Sequence, residues 1–228
     1  MNRPAFHITA LLPMKGHSER VPAKNLRLFN GKPLFYHVLE TLDKSEHINK
    51  IIVNTDSDEI ASKALSVSDK VIVHDRPEAI RGDMVSMNEI INHDVLLSGD
   101  QYFLQTHSTN PLLTVKTINK AIAKFKEEID VIDSLFSVTR LQTRLYWKDG
   151  KPVNHNPMEL LRTQDLPPVY EENSNFYIFT RDSFIHSGKK RIGLKPLMFE
   201  VDKLEAVDID EPADFILAEA LQKLNLVK

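Results

Sequence analysis

The 228-residue chain predicts one α/β domain, residues 1–228, built on a mostly parallel sheet flanked by helices. Short apolar runs alternate with segments of helical apolar spacing from residue 8 to residue 138. The first runs are nearly continuous, as strands buried on both faces are. Hydrophobic residues make up 42% and charged residues 27% of the chain, enough for one core without metal or disulfide staples.

Residues 8–12 form the first strand, which Pro13 is expected to end. A polar, cationic loop follows. Pro33 opens a helix over 34–42. Residues 50–54 form the next strand, and Asp56 or Ser57 caps a helix whose inner face is Ile60, Ala61 and Ala64. A third strand covers 71–73, a loop opens at Arg76-Pro77, and a helix runs over 86–97. The strand at 102–105 ends in the turn run Thr106-His-Ser-Thr-Asn-Pro111, before a helix over 114–128 and a strand over 131–138. From 140 to 173 the rhythm breaks, with Pro152, Pro157, Pro167 and Pro168, and the segment reads as a hairpin-like arm leaving the sheet. Strands at 175–179 and 197–201 and a last helix from Pro212 to about 224 complete the chain. Right-handed crossovers put the loops after the first strand and after 102–105 on one sheet edge, where ligands sit in such folds.

Composition excludes several classes. The chain has no Cys, so disulfide scaffolds, Cys-ligated zinc, iron–sulfur clusters and thiol nucleophiles are out. A net charge of −3 gives no global field for nucleic acid, and no apolar run approaches the ~20 residues of a membrane span. The apolar stretch at 8–14 lacks a signal peptide's charged lead and cleavage site, so a cytoplasmic protein is expected. Phosphate-binding G-x-x-x-x-G-K-[ST], dinucleotide G-x-G-x-x-G and hydrolase-elbow motifs are absent from the sequence.

Five sequence groups carry chemistry. Lys15, Arg20, Lys24, Arg27 and Lys32 face one acid, Glu19, in the loop after the first strand, and Gly16 and Ser18 let its backbone turn close to a ligand. Such a loop at a strand end suits a polyphosphate, or is simply a solvated basic surface. In Val207-Asp208-Ile209-Asp210, alternation puts both carboxylates on one side with Ile209 inward. That pair suits Mg²⁺ with phosphate and water ligands; the alternative is surface acids, with Asp210 or Glu211 capping the final helix. Arg76-Pro77 with Asp83 and Ser86 could be a loop ion pair. His107-Ser-Thr-Asn110-Pro111 could be a satisfied turn, and Asn173-Ser-Asn175-Phe-Tyr177 is a ligand wall or an Asx turn.

Taken in order, these groups resemble the CMP-sialic acid synthetase (acylneuraminate cytidylyltransferase) family. Lys15-Gly-His-Ser-Glu-Arg-Val-Pro-Ala-Lys-Asn25 is similar to its signature loop. The stretches Ile-Ile-Val-Asn-Thr-Asp-Ser-Asp-Glu-Ile-Ala61, Arg76-Pro-Glu-Ala-Ile-Arg-Gly-Asp83, Ser108-Thr-Asn-Pro-Leu112, Asn173-Ser-Asn-Phe-Tyr-Ile178 and Val207-Asp-Ile-Asp210 resemble further family motifs, so the likeness covers nearly the whole chain. It implies a Rossmann-like nucleotidyltransferase fold with a dimerisation arm. It also implies Mg²⁺-dependent transfer of CMP from CTP to the anomeric hydroxyl of an acidic ulosonic sugar, with release of pyrophosphate.

By the same resemblance, Lys15, Lys24, Asp208 and Asp210 are the catalytic residues, with Mg²⁺ on Asp208 and Asp210. Lys15, Gly16, Ser18, Arg20, Lys24, Asn25, Arg76 and Ser86 line the nucleotide side. Asn173 and Tyr177 line the sugar side, joined by His107 or Gln105 according to the gap chosen. Arg144, Arg162 and Gln164 are added there as polar arm residues. The chain departs from the family at Lys15 (Arg there) and Glu19 (Lys there), and the aromatic pair of the sugar N-acyl pocket falls near Arg191 and Ile192. N-acetylneuraminate is therefore expected to be a poor acceptor. No general base is obvious beyond a metal-activated hydroxyl or His107. A related nucleotidyltransferase with another nucleotide or acceptor, or a non-catalytic nucleotide-binding relative, would share the loop and the sheet. Leu141, Leu145, Tyr146, Trp147, Leu160, Leu161 and Leu166 make the arm apolar. A two-fold homodimer is expected, against the alternative that the arm folds back over its own sheet.

Overall fold

The computed structural model describes residues 6–224 and 226. The parts of the expected domain at 1–5, 225, 227 and 228 lie outside the described residues. In chain order the elements are β1 (Ile8–Met14), β2 (Leu28–Phe29), β3 (Lys32–Pro33), α1 (Leu34–Lys44), β4 (Ile48–Thr55), α2 (Asp58–Leu65), β5 (Val71–Asp75), α3 (Met87–Ser98), β6 (Tyr102–Thr106), α4 (Val115–Glu128), β7 (Ser134–Leu141), β8 (Val169–Thr180), α5 (Arg181–His186), β9 (Pro196–Glu200) and α6 (Pro212–Lys223). The main sheet has the order β5-β4-β1-β6-β8-β7-β9. Only β8 runs against its neighbours, pairing antiparallel with both β6 and β7.

Every residue of β1 is buried because strands flank it on both sides and helices cover both faces. α4 buries Ile118, Ala121, Ile122 and Phe125, a helical stripe against the sheet, and α1 buries Leu34, Phe35, Val38, Leu39 and Leu42. Ser57, Ser86 and Thr114 each accept an amide at the start of α2, α3 and α4. One core cluster joins the sheet to α1 and α4, and a second joins it to α3 and α5. A third, of Phe29, Leu34, Ile209, Phe215 and Ala218, packs the basic loop and α6 together.

The structure moves three expected boundaries. β1 passes through Pro13 to Met14: pairing with β6 ends at Leu11↔Gln105, so the proline's missing donor costs little, while β4 stays paired to Met14↔Thr55. β7 starts at Ser134, not 131, because the Val131 and Ile132 amides still bond Glu128 O at the end of α4. The arm is shorter than 140–173. β7 and β8 stay paired out to Leu141↔Val169, so residues 142–168 form the tip of one long hairpin. Asn154 ties that tip together, accepting the Leu145 amide at 3.1 Å and donating to Thr143 O and Pro167 O. Trp147 stays 64% exposed and Leu160 95% exposed, so the arm does not fold back to bury them.

Candidate functional site

The loop leaving β1 is pinned at both ends. The Gly16 amide donates to Asp56 Oδ1 at 2.7 Å, and a Cβ on Gly16 would lie 2.9 Å from Ser57 Cβ, so only glycine fits against the start of α2. Asn25 is buried, donates to Lys15 O at 2.9 Å and accepts from Ser108 Oγ at 2.6 Å, joining the loops after β1 and β6. Lys15 pairs with Asp83, whose carboxyl it holds below the usual carboxylate range. Arg20 donates to Asp210 Oδ1 at 2.9 Å; Lys24 donates to Ile209 O at 2.5 Å and stands 3.7 Å from Asp210 Oδ1. The basic loop therefore closes around the acidic segment.

That segment is held by its apolar residue. Ile209 is fully buried in the third cluster, and its amide bonds Thr109 O at 2.9 Å. Asp208 and Asp210 consequently both reach the cleft, as alternation requires. Neither caps α6: of the acids that could cap it, Asp210 or Glu211, it is Glu211 that stands at the N-cap, in a capping box with Asp214, which accepts the Asp210 and Glu211 amides at 3.0 and 2.7 Å. Burial, reinforced by Asp210, raises the Asp208 carboxyl above its ordinary value against an opposing hydrogen bond with Thr109. Asp208 Oδ1 is buried without a hydrogen-bond partner among the described residues. An orphaned carboxylate oxygen beside a second carboxylate fits a hard divalent cation completed by phosphate and water.

The opposite wall comes from β6, β8 and the segment after α5. Between Phe136↔Tyr177 and Val138↔Glu172 the ladder slips, so Asn173 to Phe176 bulge out opposite Ser137. Ser174 adopts φ 58° at the cleft, and Asn173 Oδ1 accepts the Asn175 amide at 3.2 Å. The motif is thus an Asx turn and a cleft wall at once. The Arg191 guanidinium stacks 4.0 Å over the Tyr177 ring and donates to Gln105 Oε1 at 2.7 Å. That bond fixes the amide, whose Nε2 donates to Thr106 O and lies 3.3 Å from His107 Nε2. His107 Nε2 is then an acceptor and its proton sits on Nδ1. Burial and the neighbouring Arg191 push His107 down to about 4, so it is neutral at pH 7. With its Nε2 lone pair engaged and so low a basicity, His107 is poorly suited as a general base.

These walls enclose a cleft of ≈ 490 Å³ at the strand C-terminal edge. Of the residues singled out by sequence, Lys15, Ser18, Lys24, Asn25, Arg76, His107, Asp208 and Asp210 line it. Gly16 and Arg20 are not among its lining residues: Gly16 packs on the start of α2, and the exposed Arg20 reaches Asp210 and Glu211. Gln105 contacts His107 and Arg191, and Tyr177 contacts Arg191. Arg76 is buried, bonding Asn54 Oδ1, Asn54 O and Met14 O, and burial lowers its pKa. Ser86 instead caps α3 and borders a larger groove of ≈ 830 Å³ behind that helix, away from the carboxylates. Asn173 borders a hollow on the far side of Asp208 and donates to Thr139 Oγ1 at 3.0 Å. Arg144, Arg162 and Gln164 stay on the arm: Arg144 bonds Leu161 O, Arg162 pairs with Asp165 at 2.7 Å, and Gln164 O accepts from Gln142. The structure does not bring these three to the cleft of their own chain. Sequence reasoning missed Arg191 as a cleft residue, registering it only where an aromatic pair is absent. No local pattern marks a lone loop arginine as a half-buried cleft residue.

The fold and cleft define an α/β protein that gathers cations and two carboxylates at strand ends, as nucleotide-handling enzymes do. The cytidylyltransferase family model matches residues 9–228, and the chain belongs to that family. N-acylneuraminate cytidylyltransferase A of Danio rerio is 30% identical over 226 residues, 95% of this chain but 51% of the relative. CMP-N,N'-diacetyllegionaminic acid synthase of Legionella pneumophila is 29% identical over 96% of this chain and 98% of the relative. Pseudaminic acid cytidylyltransferase of Campylobacter jejuni is 25% identical over 94% and 96%. The chain therefore spans about half the length of the Danio relative and nearly all of the two bacterial ones. Among solved structures, CMP:2-keto-3-deoxy-manno-octonic acid synthetase complexed with CTP superimposes with TM-score 0.69 at 13% identity, covering 96% of this chain and 99% of that one. A 4-diphosphocytidyl-2C-methyl-D-erythritol synthase from Anaerococcus prevotii gives 0.66 at 13% identity, over 95% and 98%. No described helix is long and apolar enough to cross a membrane.

Proposed function

We propose that the protein transfers CMP from CTP to the anomeric hydroxyl of a nine- or eight-carbon ulosonic acid, releasing pyrophosphate. The observation that carries this reading is one cleft joining Lys15 and Lys24 to Asp208 and Asp210. The family match and the relatives' named substrates support cytidine and an acidic sugar.

In this reading Lys15 leaves Asp83 for the triphosphate, and Lys24 and Arg20 neutralise the departing pyrophosphate. Ser18, the Gly16 backbone and Asn25 shape the loop against the nucleotide, and Arg76 borders its nucleoside end. Asp208 and Asp210 would hold Mg²⁺, which would supply charge compensation at the α-phosphate and lower the pKa of a nearby hydroxyl. The acceptor lies against His107, Ser174 and Arg191, with Gln105, Tyr177 and Asn173 holding that wall. His107 offers its Nδ1–H to an acceptor oxygen. Arg191 supplies a cation for the acid, and no described carboxylate forms an ion pair with it. Catalysis is then alignment plus electrostatics. The exposed apolar arm, with Trp147 and Leu160, supports pairing with a second copy, which would also carry the arm's Arg144, Arg162 and Gln164 to the partner's acceptor side.

Pyrophosphate release with CTP, UTP or GTP against sialic, legionaminic, pseudaminic and octulosonic acids tests the reading. CTP should be the preferred nucleotide and N-acetylneuraminate a poor acceptor. Turnover with UTP alone, or with none of the acids, would refute it.

A further inference from the structure

A second cluster of metal-ligand chemistry lies outside the cleft, where β5 meets α3. Asp94 of α3 is fully buried. Its Oδ1 accepts from Asn54 Nδ2 at 2.7 Å and lies 2.8 Å from His74 Nδ1 and 3.3 Å from His93 Nδ1. Its Oδ2 is buried with no hydrogen-bond partner among the described residues. One carboxylate oxygen is thus crowded by three nitrogens while the other has none, a costly way to bury a charge. One ligand atom from each of the three residues falls within 4.8 Å of the others.

We infer that His74, His93 and Asp94 form a second divalent-cation site, for a borderline transition ion such as Zn²⁺. Tetrahedral zinc, with bonds of ~2.0–2.1 Å, sets neighbouring ligand atoms about 3.3 Å apart; here His74 Nδ1 and His93 Nδ1 stand 2.8 and 3.3 Å from Asp94 Oδ1, and small side-chain shifts within the 4.8 Å cluster complete the fit. Two imidazoles with one carboxylate select zinc over Mg²⁺, which prefers all-oxygen sites. Each imidazole binds the ion through its Nδ1 lone pair and keeps its proton on Nε2, a ring that starts as the Nδ1–H tautomer shifting that proton by exchange with solvent, and the carboxylate gains a full counter-charge. His93 borders the ≈ 830 Å³ groove behind α3, which gives the ion its entry and a water as fourth ligand. The site fastens strand to helix. It also steadies Asn54, whose Oδ1 accepts from Arg76 Nε at 2.7 Å on the nucleotide side.

The test uses the full chain, free of any tag, carrying Asp208→Asn and Asp210→Asn so that cleft carboxylates do not compete. Calorimetric titration with ZnCl₂ should give one equivalent, and Co²⁺ should show the strong visible bands of a four-coordinate ion. His93→Ala should weaken zinc about tenfold or more and remove those bands; alanine suits a helix, so its fold, checked by circular dichroism, should persist. His74→Gln should act likewise. No zinc uptake by the parent protein, or equal affinity in a folded His93→Ala, would overturn the assignment.

Discussion

Asp208 sits where burial and the neighbouring Asp210 disfavour its charged form. Burial raises its pKa, so its ionised form costs folding free energy at neutral pH. For a raised carboxyl the cost is full above the folded pKa and shrinks as pH falls from there to the unfolded pKa, below which it is gone. Asp208→Asn should therefore lose about a hundredfold or more in turnover while its melting temperature in metal-free buffer stays equal or rises. A large loss of melting temperature with activity retained would speak against the metal role. Arg191 is the matching case on the acceptor side. Arg191→Met keeps the stack on Tyr177 but removes the charge. It should raise the KM for the acid about tenfold or more and leave the KM for CTP nearly unchanged. Equal shifts in both would place Arg191 on the triphosphate instead. His107 sets a pH signature. Folded near 4 against an ordinary 6.5, it contributes full stability above about pH 6.5, and that contribution is lost as pH falls from there toward 4. His37, also lowered by burial, adds a slope of the same sign. The melting temperature should drop between pH 7 and pH 5, and less steeply in His107→Asn; an unchanged slope would contradict the buried neutral imidazole.

At the scale of elements, the site depends on how closely the basic loop approaches α2. Gly16→Ala should force the loop away from Ser57, costing ~1–3 kcal/mol and weakening CTP. Ser57→Gly removes the obstructing Cβ at a few tenths of a kcal/mol in capping, so the double variant should regain most of the loss. Failure of that rescue, measured by denaturation and CTP titration, would mean Gly16 matters for another reason. The strand–helix rhythm was legible because central strands and amphipathic helices write their burial into local periods. The Asp208-Ile209-Asp210 geometry was legible for the same reason, since alternation alone turns both carboxylates one way. The β8 bulge was half legible: Asn173 and Asn175 signal a turn, but only pairing with β7 shows that it opens inside a sheet. Arg191 and Asn54 were not legible, because their partners come from strands distant in sequence.

Across the whole molecule, the arm stands out for the large apolar side chains it exposes. Its polar ties run within the arm, while Trp147, Tyr146 and Leu160 face outward. Sequence could mark it as apolar and irregular, but could not show that its base stays in the sheet. A C₂ dimer through the arm should scatter as twice the chain mass, and Trp147→Lys should shift it to monomer and lower activity together. Full activity in a monomer would remove the arm from the account. The central claim is that Lys24, Asp208 and Asp210 act as one nucleotidyl-transfer centre. It is tested most directly by pyrophosphate formation from CTP and a ulosonic acid panel, titrated with Mg²⁺ after chelation. Turnover should rise from near zero with Mg²⁺ in the wild type and stay about a hundredfold or more lower in Asp208→Asn and Asp210→Asn at every Mg²⁺ level. Metal-independent turnover, or near-wild-type rates in both variants, would contradict it.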